Sequence, residues 1–238
     1  LFLPLLADLP AVQALNLTAG VRYSDYSKDT IGDDTTFGAK LEYRPVRDLL
    51  LRASWAEVFR APTINDLSLA PTQSAVQLQD PCTGLTSAAL AANPNLALAC
   101  VGVPVDAGFS QPNSQITGLL LGSPDLKPET GDVLTAGFVY DSSLLRGLSF
   151  NVDYWRYKID DIITPLDPNF AADQCVQTGN ADFCGLMYRY ESGPNAGLFK
   201  VFQLPTVNLG TLETDGIDAG LRYQLRDTRT GSWGFQLE

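Results

Sequence analysis

The sequence has 238 residues, with 27 acidic and 16 basic side chains and a formal net charge of −11. This acidic balance argues against a nucleic-acid-binding protein, which needs basic patches. The sequence contains no histidine, which excludes Ser-His-Asp and Cys-His catalytic sites and any metal site built on histidine. We therefore expect no enzyme, no catalytic residue, no cofactor, no metal site and no nucleic-acid partner.

Apolar residues are spread through the chain rather than gathered in blocks. They make up 45% of the residues, yet the mean hydropathy is +0.00. The sequence contains no run of about 18 apolar residues, so no membrane-spanning helix is expected. Residues 1–15 are apolar, but Asp8, two prolines and the lack of a basic start differ from a signal peptide. The sequence also begins without Met, as a fragment would.

A period of two dominates the pattern of apolar side chains. Side chains on a strand point to alternate faces, so each such segment is predicted to be a β-strand with one apolar and one polar face. The predicted fold class is therefore all-β. The alternating segments, in chain order, are 15–23, 37–43, 49–55, 134–140, 148–154, 217–225 and 233–237.

Three features favour an antiparallel transmembrane β-barrel over a soluble sandwich. The polar face carries charges and glycine in strand after strand, which suits a wet lumen. Aromatic residues stand at one end of the apolar stripe, as in the aromatic girdles of outer-membrane barrels. These aromatic residues are Tyr23, Tyr43, Trp55, Tyr140, Tyr154 and Tyr223.

The third and strongest feature is the alternation in length of the connections. Short turns are predicted at 45–48, 142–147 and 227–231, and longer connections at 28–34, 60–127 and 164–204. In an antiparallel sheet all short turns then fall on one rim, as the periplasmic turns of outer-membrane barrels do, and the long extracellular loops on the other.

Each of the two longest connections contains one pair of cysteines. Cys82 and Cys100 lie in the first, and Cys175 and Cys184 lie in the second. Two local disulfides in an oxidising compartment are predicted, with four buried free thiols as the alternative. Closing such a loop stabilises it by about 3 kcal/mol in the entropic account. The Ala/Leu-rich residues 86–99 between the first two cysteines favour a short helix.

Four segments, in this order along the chain, resemble the TonB-dependent receptors. Residues 55–67 read WAEVFRAPTINDL and residues 123–137 read SPDLKPETGDVLTAG. They are followed by YWRYKIDDII at 154–163 and NLGTLETDGIDAGL at 208–221. The resemblance covers most of residues 13–238.

The resemblance implies a fold and a function. The family's barrel has about 22 strands around an N-terminal plug, so residues 1–238, with about seven full or partial strands, are expected to be part of one such domain. The plug, the TonB box and the final strands are expected to be absent from this sequence. The implied function is energised uptake, across the bacterial outer membrane, of a small nutrient such as a ferric siderophore, cobalamin or a carbohydrate. The implied partners are outer-membrane lipid, TonB and that ligand.

Aromatic and basic residues of the polar face are the candidates for ligand contact. Continuing the alternation of segment 148–154 points Trp155 and Tyr157 inward, where they could stack on a sugar or a catecholate, or pack on a plug. Arg52 and Arg60 could meet an anionic ligand, or form ion pairs within the lumen with Glu42 or Asp153.

Two further patterns concern the strand ends and the glycines. Asp160 and Asp161 could hold a cation or form a solvated strand end. Glycines in or beside strands permit bends and close packing in a lumen. These glycines are Gly131, Gly137, Gly216 and Gly220.

Three alternatives to a receptor share the strand pattern. One is a small, complete eight-stranded outer-membrane barrel that acts as an anchor or adhesin. Another is a passive porin. The last is a soluble, secreted β-sandwich, which would bury the apolar stripes between two stacked sheets.

Overall fold

The computed structural model describes residues 1–28 and 30–238, without the side chains of 226–228. The chain divides into two compact units. We call Leu1–Ala61, Pro128–Ile162 and Gly210–Glu238 the strand unit, and Pro62–Lys127 and Ile163–Leu209 the insert unit.

Among the described residues, the strand unit contains eight strands and no helix, whereas the insert unit contains five strands and five helices. In chain order the strands are β1 (Phe2–Leu9), β2 (Val12–Asp25), β3 (Asp33–Val46), β4 (Leu49–Arg60), β5 (Thr72–Gln77), β6 (Gln115–Leu121), β7 (Glu129–Asp141), β8 (Leu148–Asp160), β9 (Ile163–Pro165), β10 (Met187–Arg189), β11 (Phe199–Asn208), β12 (Thr211–Thr228) and β13 (Gly231–Leu237). The helices are α1 (Ile64–Ser68), α2 (Ser87–Ala92), α3 (Leu96–Ala99), α4 (Pro168–Thr178) and α5 (Ala181–Cys184).

The strand unit is one antiparallel sheet of eight strands in the order β1-β2-β3-β4-β7-β8-β12-β13. All seven predicted strands lie in this sheet, so the predicted all-β antiparallel fold is confirmed. Within the described residues, β1 and β13 do not pair with each other. The eight strands therefore do not close into the small complete barrel that was one of the alternatives.

Strand β1 was not predicted, because its sequence does not alternate. FLPLLADL has apolar residues at consecutive positions, and the register shifts between Pro4 and Leu6 where it pairs with β2. The backbone of Asp8 has a positive φ of 56°, which only a few per cent of residues other than glycine adopt.

The strand register divides the side chains between two faces. One row across six strands is apolar, and the next row is polar apart from Trp155, as the alternation predicts. The apolar row is Leu17, Leu41, Ala53, Ala136, Tyr154 and Ile217. The row beside it is Thr18, Lys40, Ser54, Thr135, Trp155 and Gly216.

The apolar face is open rather than packed against a second sheet. Val21 is 66% exposed, Ile217 is 71% exposed and Leu237 is 70% exposed. A soluble sandwich would bury these side chains in its core. The exposed apolar face therefore contradicts the sandwich alternative and leaves a surface that water solvates poorly.

Short and long connections alternate along the sheet as predicted. Residues 47–48, 142–147 and 229–230 join neighbouring strands on one rim, whereas 61–128 and 161–210 leave from the opposite rim. Aromatic residues of the apolar face occur toward both rims, since the strands that carry them run in opposite directions. Tyr23 and Trp55 lie toward the rim of the long connections, and Tyr43, Tyr140 and Tyr223 lie toward the rim of the short turns.

The insert unit has a sheet of its own, which the sequence pattern did not reveal. Its strand order is β10-β11-β6-β5, with β9 paired to β11. Strands β6 and β11 run parallel, and α4 contributes to the buried core that this sheet supports. The core residues are Leu78, Ile116, Leu166, Ala171, Ala172, Phe202 and Leu204.

The helices of the insert unit are short and have defined ends. Asp167 is the N-cap of helix α4, and its side chain accepts a hydrogen bond from the Phe170 N–H at 2.9 Å. Gly179, with φ 66°, is the C-cap. The helix predicted within 86–99 is confirmed as α2 and α3, with Thr86 as the N-cap of α2. None of the described helices is long and apolar enough to cross a membrane.

Two disulfides and one buried ion pair hold the insert unit together. Cys82 is bonded to Cys100 and Cys175 to Cys184, as predicted. Arg189 donates from Nη1 and Nη2 to the two carboxylate oxygens of Asp80, at 2.8 and 2.6 Å. Both side chains are 1% exposed.

The remaining donors of the Arg189 guanidinium are also used. Nε donates to the Ala99 carbonyl at 3.0 Å and Nη1 to the Gly197 carbonyl at 2.8 Å. The Phe199 ring lies 3.7 Å from the guanidinium carbon. A buried charge is tolerated only with such partners. The ion pair therefore holds the two segments of the insert unit, Pro62–Lys127 and Ile163–Leu209, against each other.

Candidate functional site

A concave region of about 540 Å³ lies on the polar face of the strand unit. We call it the polar-face hollow. It brings together side chains from β3, β4, β7, β8 and β12, because these strands are neighbours and their register aligns the polar rows. The lining residues are Lys40, Arg52, Thr135, Asp153, Trp155, Tyr157 and Asp218.

Arg52 forms a bidentate ion pair with Asp153 across the hollow. Its Nε donates to Asp153 Oδ1 at 2.8 Å, and its Nη2 donates to Asp153 Oδ2 at 2.6 Å. Asn151 donates a further hydrogen bond to Asp153 Oδ2 at 3.2 Å. Of the two roles expected for Arg52, the structure contains the ion pair with Asp153, which occupies the Nε and Nη2 donors of the guanidinium.

Lys40, the second cation of the hollow, is also paired. Its Nζ lies 2.9 Å from Glu42 Oε1. Thr135 shares a hydrogen bond of 2.7 Å with Ser54, between the two hydroxyl groups. These contacts leave the other lining groups to face the hollow.

Trp155 and Tyr157 form an aromatic corner on β8. Their ring centroids are 5.3 Å apart and the ring planes are inclined by 55°. Gly216 lies opposite Trp155, and a Cβ at Gly216 would lie only 2.6 Å from Trp155 Cζ2. The indole therefore packs on the glycine backbone. Trp155 is half-buried, whereas Tyr157 is 39% exposed.

Three side-chain polar groups of the hollow have no partner within the described part of the chain. They are the Trp155 indole N–H, the Tyr157 hydroxyl and the Asp218 carboxylate. Asp218 lies directly across from Asp153 in the pairing of β8 with β12. Because Arg52 already neutralises Asp153, Asp218 is the uncompensated charge of the hollow.

Arg60 does not line the hollow. It lies at the end of β4 and forms an ion pair with Glu129 at the start of β7, with Nε donating to Oε2 at 2.6 Å. Three of the four predicted ligand contacts, Arg52, Trp155 and Tyr157, are thus brought together, and Arg60 is separate from them.

The aspartates at the end of β8 have their own contacts. Thr211 donates a hydrogen bond to Asp160 Oδ1 at 2.6 Å, and Lys158 Nζ lies 3.2 Å from Asp160 Oδ2. In residues 1–28 and 30–238, no group of three or more acidic or cysteine side chains is placed to hold a metal ion.

Lys40, Thr135 and Asp218 were not singled out from the sequence. Each occupies a polar position of an alternating segment, which was a usable signal for the face. That they meet Trp155 depends on the register between five strands, and the sequence pattern does not fix that register.

A larger cavity of about 620 Å³ lies within the insert unit. It is bounded by the start of α4 and the segment after β5, and it was also not predicted. Asn169 ties these parts together, because it accepts from the Gln79 N–H at 2.9 Å and donates to the Gln77 carbonyl at 3.1 Å. Its lining residues are Gln77, Leu78, Gln79, Asp80, Pro81, Ser114, Asn169 and Asp173.

Comparison with known proteins gives a family and a fold. A family model described as TonB dependent receptor-like, beta-barrel matches residues 5–238. No curated protein matches the sequence.

Several solved structures have a similar fold. A mutant of the ferric enterobactin receptor PfeA from Pseudomonas aeruginosa, solved with enterobactin, superposes with a TM-score of 0.53 at 18% identity over 94% of this chain. The siderophore receptor PirA from the same organism gives a TM-score of 0.52 at 14% identity over 93%. PirA from Acinetobacter baumannii gives 0.51 at 14% over 88%.

The chain spans about a quarter of the length of these receptors, with coverage of 25%, 30% and 23% of the respective chains. At these identities the likeness concerns the fold alone. The predicted fold class, a fragment of a larger receptor barrel, is confirmed.

Proposed function

The chain belongs to the TonB-dependent receptor β-barrel family, and from this premise we propose that it forms part of the wall of a receptor in the bacterial outer membrane. The receptor takes up a scarce small nutrient, with energy delivered through TonB. It acts as a transporter rather than an enzyme.

The observation that carries the proposal is the division of the eight-stranded sheet into an exposed apolar face and a polar face with ion pairs. Fully burying one Leu, Ile or Phe side chain stabilises a structure by roughly 1.5–3 kcal/mol. The exposed apolar side chains on this face include Val21, Phe37, Ile217 and Phe235. Lipid supplies the apolar environment that this face lacks in water, and the opposite face lines an aqueous interior.

The connections support an orientation. In outer-membrane barrels the short turns are periplasmic and the long loops extracellular. We therefore propose that the insert unit, with its predicted outer loops 60–127 and 164–204, belongs to the extracellular side. Its two disulfides suit an oxidising exterior.

Trp155, Tyr157 and Arg52 of the polar-face hollow are the proposed ligand-facing residues, and Arg60 is a second basic candidate outside it. The similar structures include a ferric enterobactin receptor, which makes a ferric siderophore the first ligand to test. Cobalamin and carbohydrates are the other classes.

Uptake by cells tests this proposal. The full-length protein that contains this chain is expressed in a bacterial host with and without TonB, and radiolabelled ferric enterobactin, cobalamin and maltotriose are supplied in turn. We expect at least one probe to accumulate only when TonB is present. Equal accumulation in both hosts would identify a passive porin instead.

Detergent dependence gives a second test. The purified protein is expected to aggregate when detergent is removed, because the apolar face then meets water. A protein that stays folded and monomeric without detergent would contradict the membrane assignment.

A further inference from the structure

Among the described residues, both cations that line the polar-face hollow already have a carboxylate partner. Arg52 is held by Asp153 through two hydrogen bonds, and Lys40 is held by Glu42 at 2.9 Å. An anion that recruited Arg52 would release Asp153 opposite Asp218, and two facing carboxylates repel each other.

The Asp218 carboxylate and the two aromatic rings of the hollow match a cation. The carboxylate of Asp218 carries a negative charge and accepts no hydrogen bond from the described residues. Trp155 and Tyr157 offer two aromatic faces inclined at 55° to each other. A cation within about 6 Å of such rings is attracted by their quadrupoles, and Trp attracts most strongly.

The aromatic corner is held in place before any ligand arrives. The Trp155 indole rests on Gly216, where a Cβ would approach Cζ2 to 2.6 Å. A side chain with little freedom to lose binds at a lower entropic cost. Asp218, two residues along β12 from Gly216, lies on the same face.

The net charge of the chain, −11, favours the same class of ligand. The segments of the insert unit, Pro62–Lys127 and Ile163–Leu209, contain eight acidic and three basic residues. One basic residue, Arg189, is buried against Asp80. A surface with this surplus of negative charge attracts cations over a distance and repels polyanions.

We propose that the polar-face hollow binds an organic cation, with an ammonium group of the ligand held against Trp155 and Tyr157 beside the Asp218 carboxylate. This inference rests on the proposed receptor function and names the ligand class for the same site. A neutral sugar would contact the aromatic faces but gain nothing from the charge of Asp218. An anionic ferric catecholate would be repelled by that charge.

The test compares the binding of a cation with that of its uncharged isostere. Choline and 3,3-dimethyl-1-butanol have the same shape and differ in one positive charge. Their binding to the detergent-solubilised full-length protein is measured by calorimetry and by tryptophan fluorescence. We expect choline to bind at least tenfold more tightly than the alcohol, and its affinity to fall as salt is raised.

Variants then locate the site. Asp218→Asn and Trp155→Leu are each expected to weaken choline binding at least tenfold. The matched control is Asp215→Asn, since Asp215 is an exposed aspartate of the same strand whose position in the pairing of β12 with β8 puts it on the opposite face.

Several results would overturn the inference. They are equal binding of choline and the alcohol, tighter binding of maltotriose or ferric enterobactin, and an Asp218→Asn variant with unchanged affinity. If Asp218→Asn fails to fold, Trp155→Leu and the salt dependence of the unmodified protein decide the question. TonB-dependent uptake of another nutrient without choline binding would reject this inference and leave the proposed receptor function intact.

Discussion

Arg52 reaches Asp153 across an intervening strand, with Nε and Nη2 of the guanidinium at 2.8 and 2.6 Å from the two carboxylate oxygens. Gly137 lies between them in the register of β4, β7 and β8. A Cβ at Gly137 would lie 2.2 Å from Asp153 Oδ1. The ion pair therefore exists because the residue between its partners has no side chain.

Gly137→Ala is expected to separate Arg52 from Asp153 and to destabilise the sheet. The added methyl group displaces the carboxylate, and overpacking of this kind costs about 1–3 kcal/mol. The pair itself is partly exposed and adds no more than about 1 kcal/mol. Urea unfolding in detergent micelles measures the loss.

The control for this prediction is Gly20→Ala in β2. A Cβ at Gly20 would meet no atom within 4 Å, so this variant is expected to be neutral or slightly stabilising. Equal destabilisation by both substitutions would contradict the steric explanation.

The buried ion pair of the insert unit predicts a larger effect. Arg189→Met leaves Asp80 as an uncompensated charge that is 1% exposed, and breaking such a pair costs about 3–5 kcal/mol. Hydrogen exchange over the insert unit is expected to accelerate strongly. The double variant Arg189→Met with Asp80→Leu removes both charges and is expected to recover much of the loss.

Lys200→Met serves as the control, because Lys200 is exposed in the same unit. We expect it to leave the exchange rates unchanged. If the Arg189→Met variant exchanges its amide hydrogens as slowly as the unmodified protein, the ion pair does not hold the two segments of the insert unit together.

The disulfides are expected to contribute unequally. The Cys82–Cys100 bond closes a separation of 18 residues and the Cys175–Cys184 bond one of 9. In the entropic account the first stabilises by about 3 kcal/mol, and halving the loop lowers the contribution by about 0.6 kcal/mol. To test this order, each cysteine pair is replaced by serines and the free energy of unfolding of the insert unit is measured. A larger loss of stability from removing Cys175–Cys184 than from removing Cys82–Cys100 would contradict the prediction.

The turn at Asp48 predicts a dependence on pH. Hydrogen bonds from the side chain and backbone of Ser143 hold the pKa of Asp48 below its ordinary value, and the Ser143 N–H lies 2.8 Å from Oδ2. Because the pKa of Asp48 is lower in the folded state, the ionised carboxylate stabilises the fold at pH values above its ordinary pKa of about 3.9. This stabilisation is lost as the pH falls through the depressed value.

Carbon-13 NMR of the Asp48 carboxyl group measures this pKa directly. We expect Ser143→Ala to raise the pKa toward the ordinary value, since the side-chain donor is removed. An unchanged titration in that variant would show that Ser143 does not act through its hydroxyl group.

Much of the strand unit could be predicted because one physical rule, the alternation of side chains on a strand, acts within each segment. Segment 148–154 gave the strand, its faces and the inward direction of Trp155 and Tyr157. Strand β1 was missed because consecutive leucines around Pro4 hide the period.

The insert unit could not be predicted in the same way, since its contacts are distant in sequence. Arg189 meets Asp80 across 109 positions, and β11 pairs in parallel with β6. The hollow falls between these cases. The face of Asp218 follows from alternation, but its meeting with Trp155 follows from register, which only the paired strands determine.

Lipid contact of the apolar face is the central claim, and the chain's three tryptophans allow one direct measurement. Trp55 and Trp233 lie on the apolar face and are 39% and 53% exposed, whereas Trp155 lies on the polar face. Single-tryptophan versions of the full-length protein are reconstituted in bilayers of brominated lipid. We expect the bromine to quench the fluorescence of Trp55 and Trp233 and to spare Trp155. Equal quenching of all three, or quenching of Trp155 alone, would contradict the account.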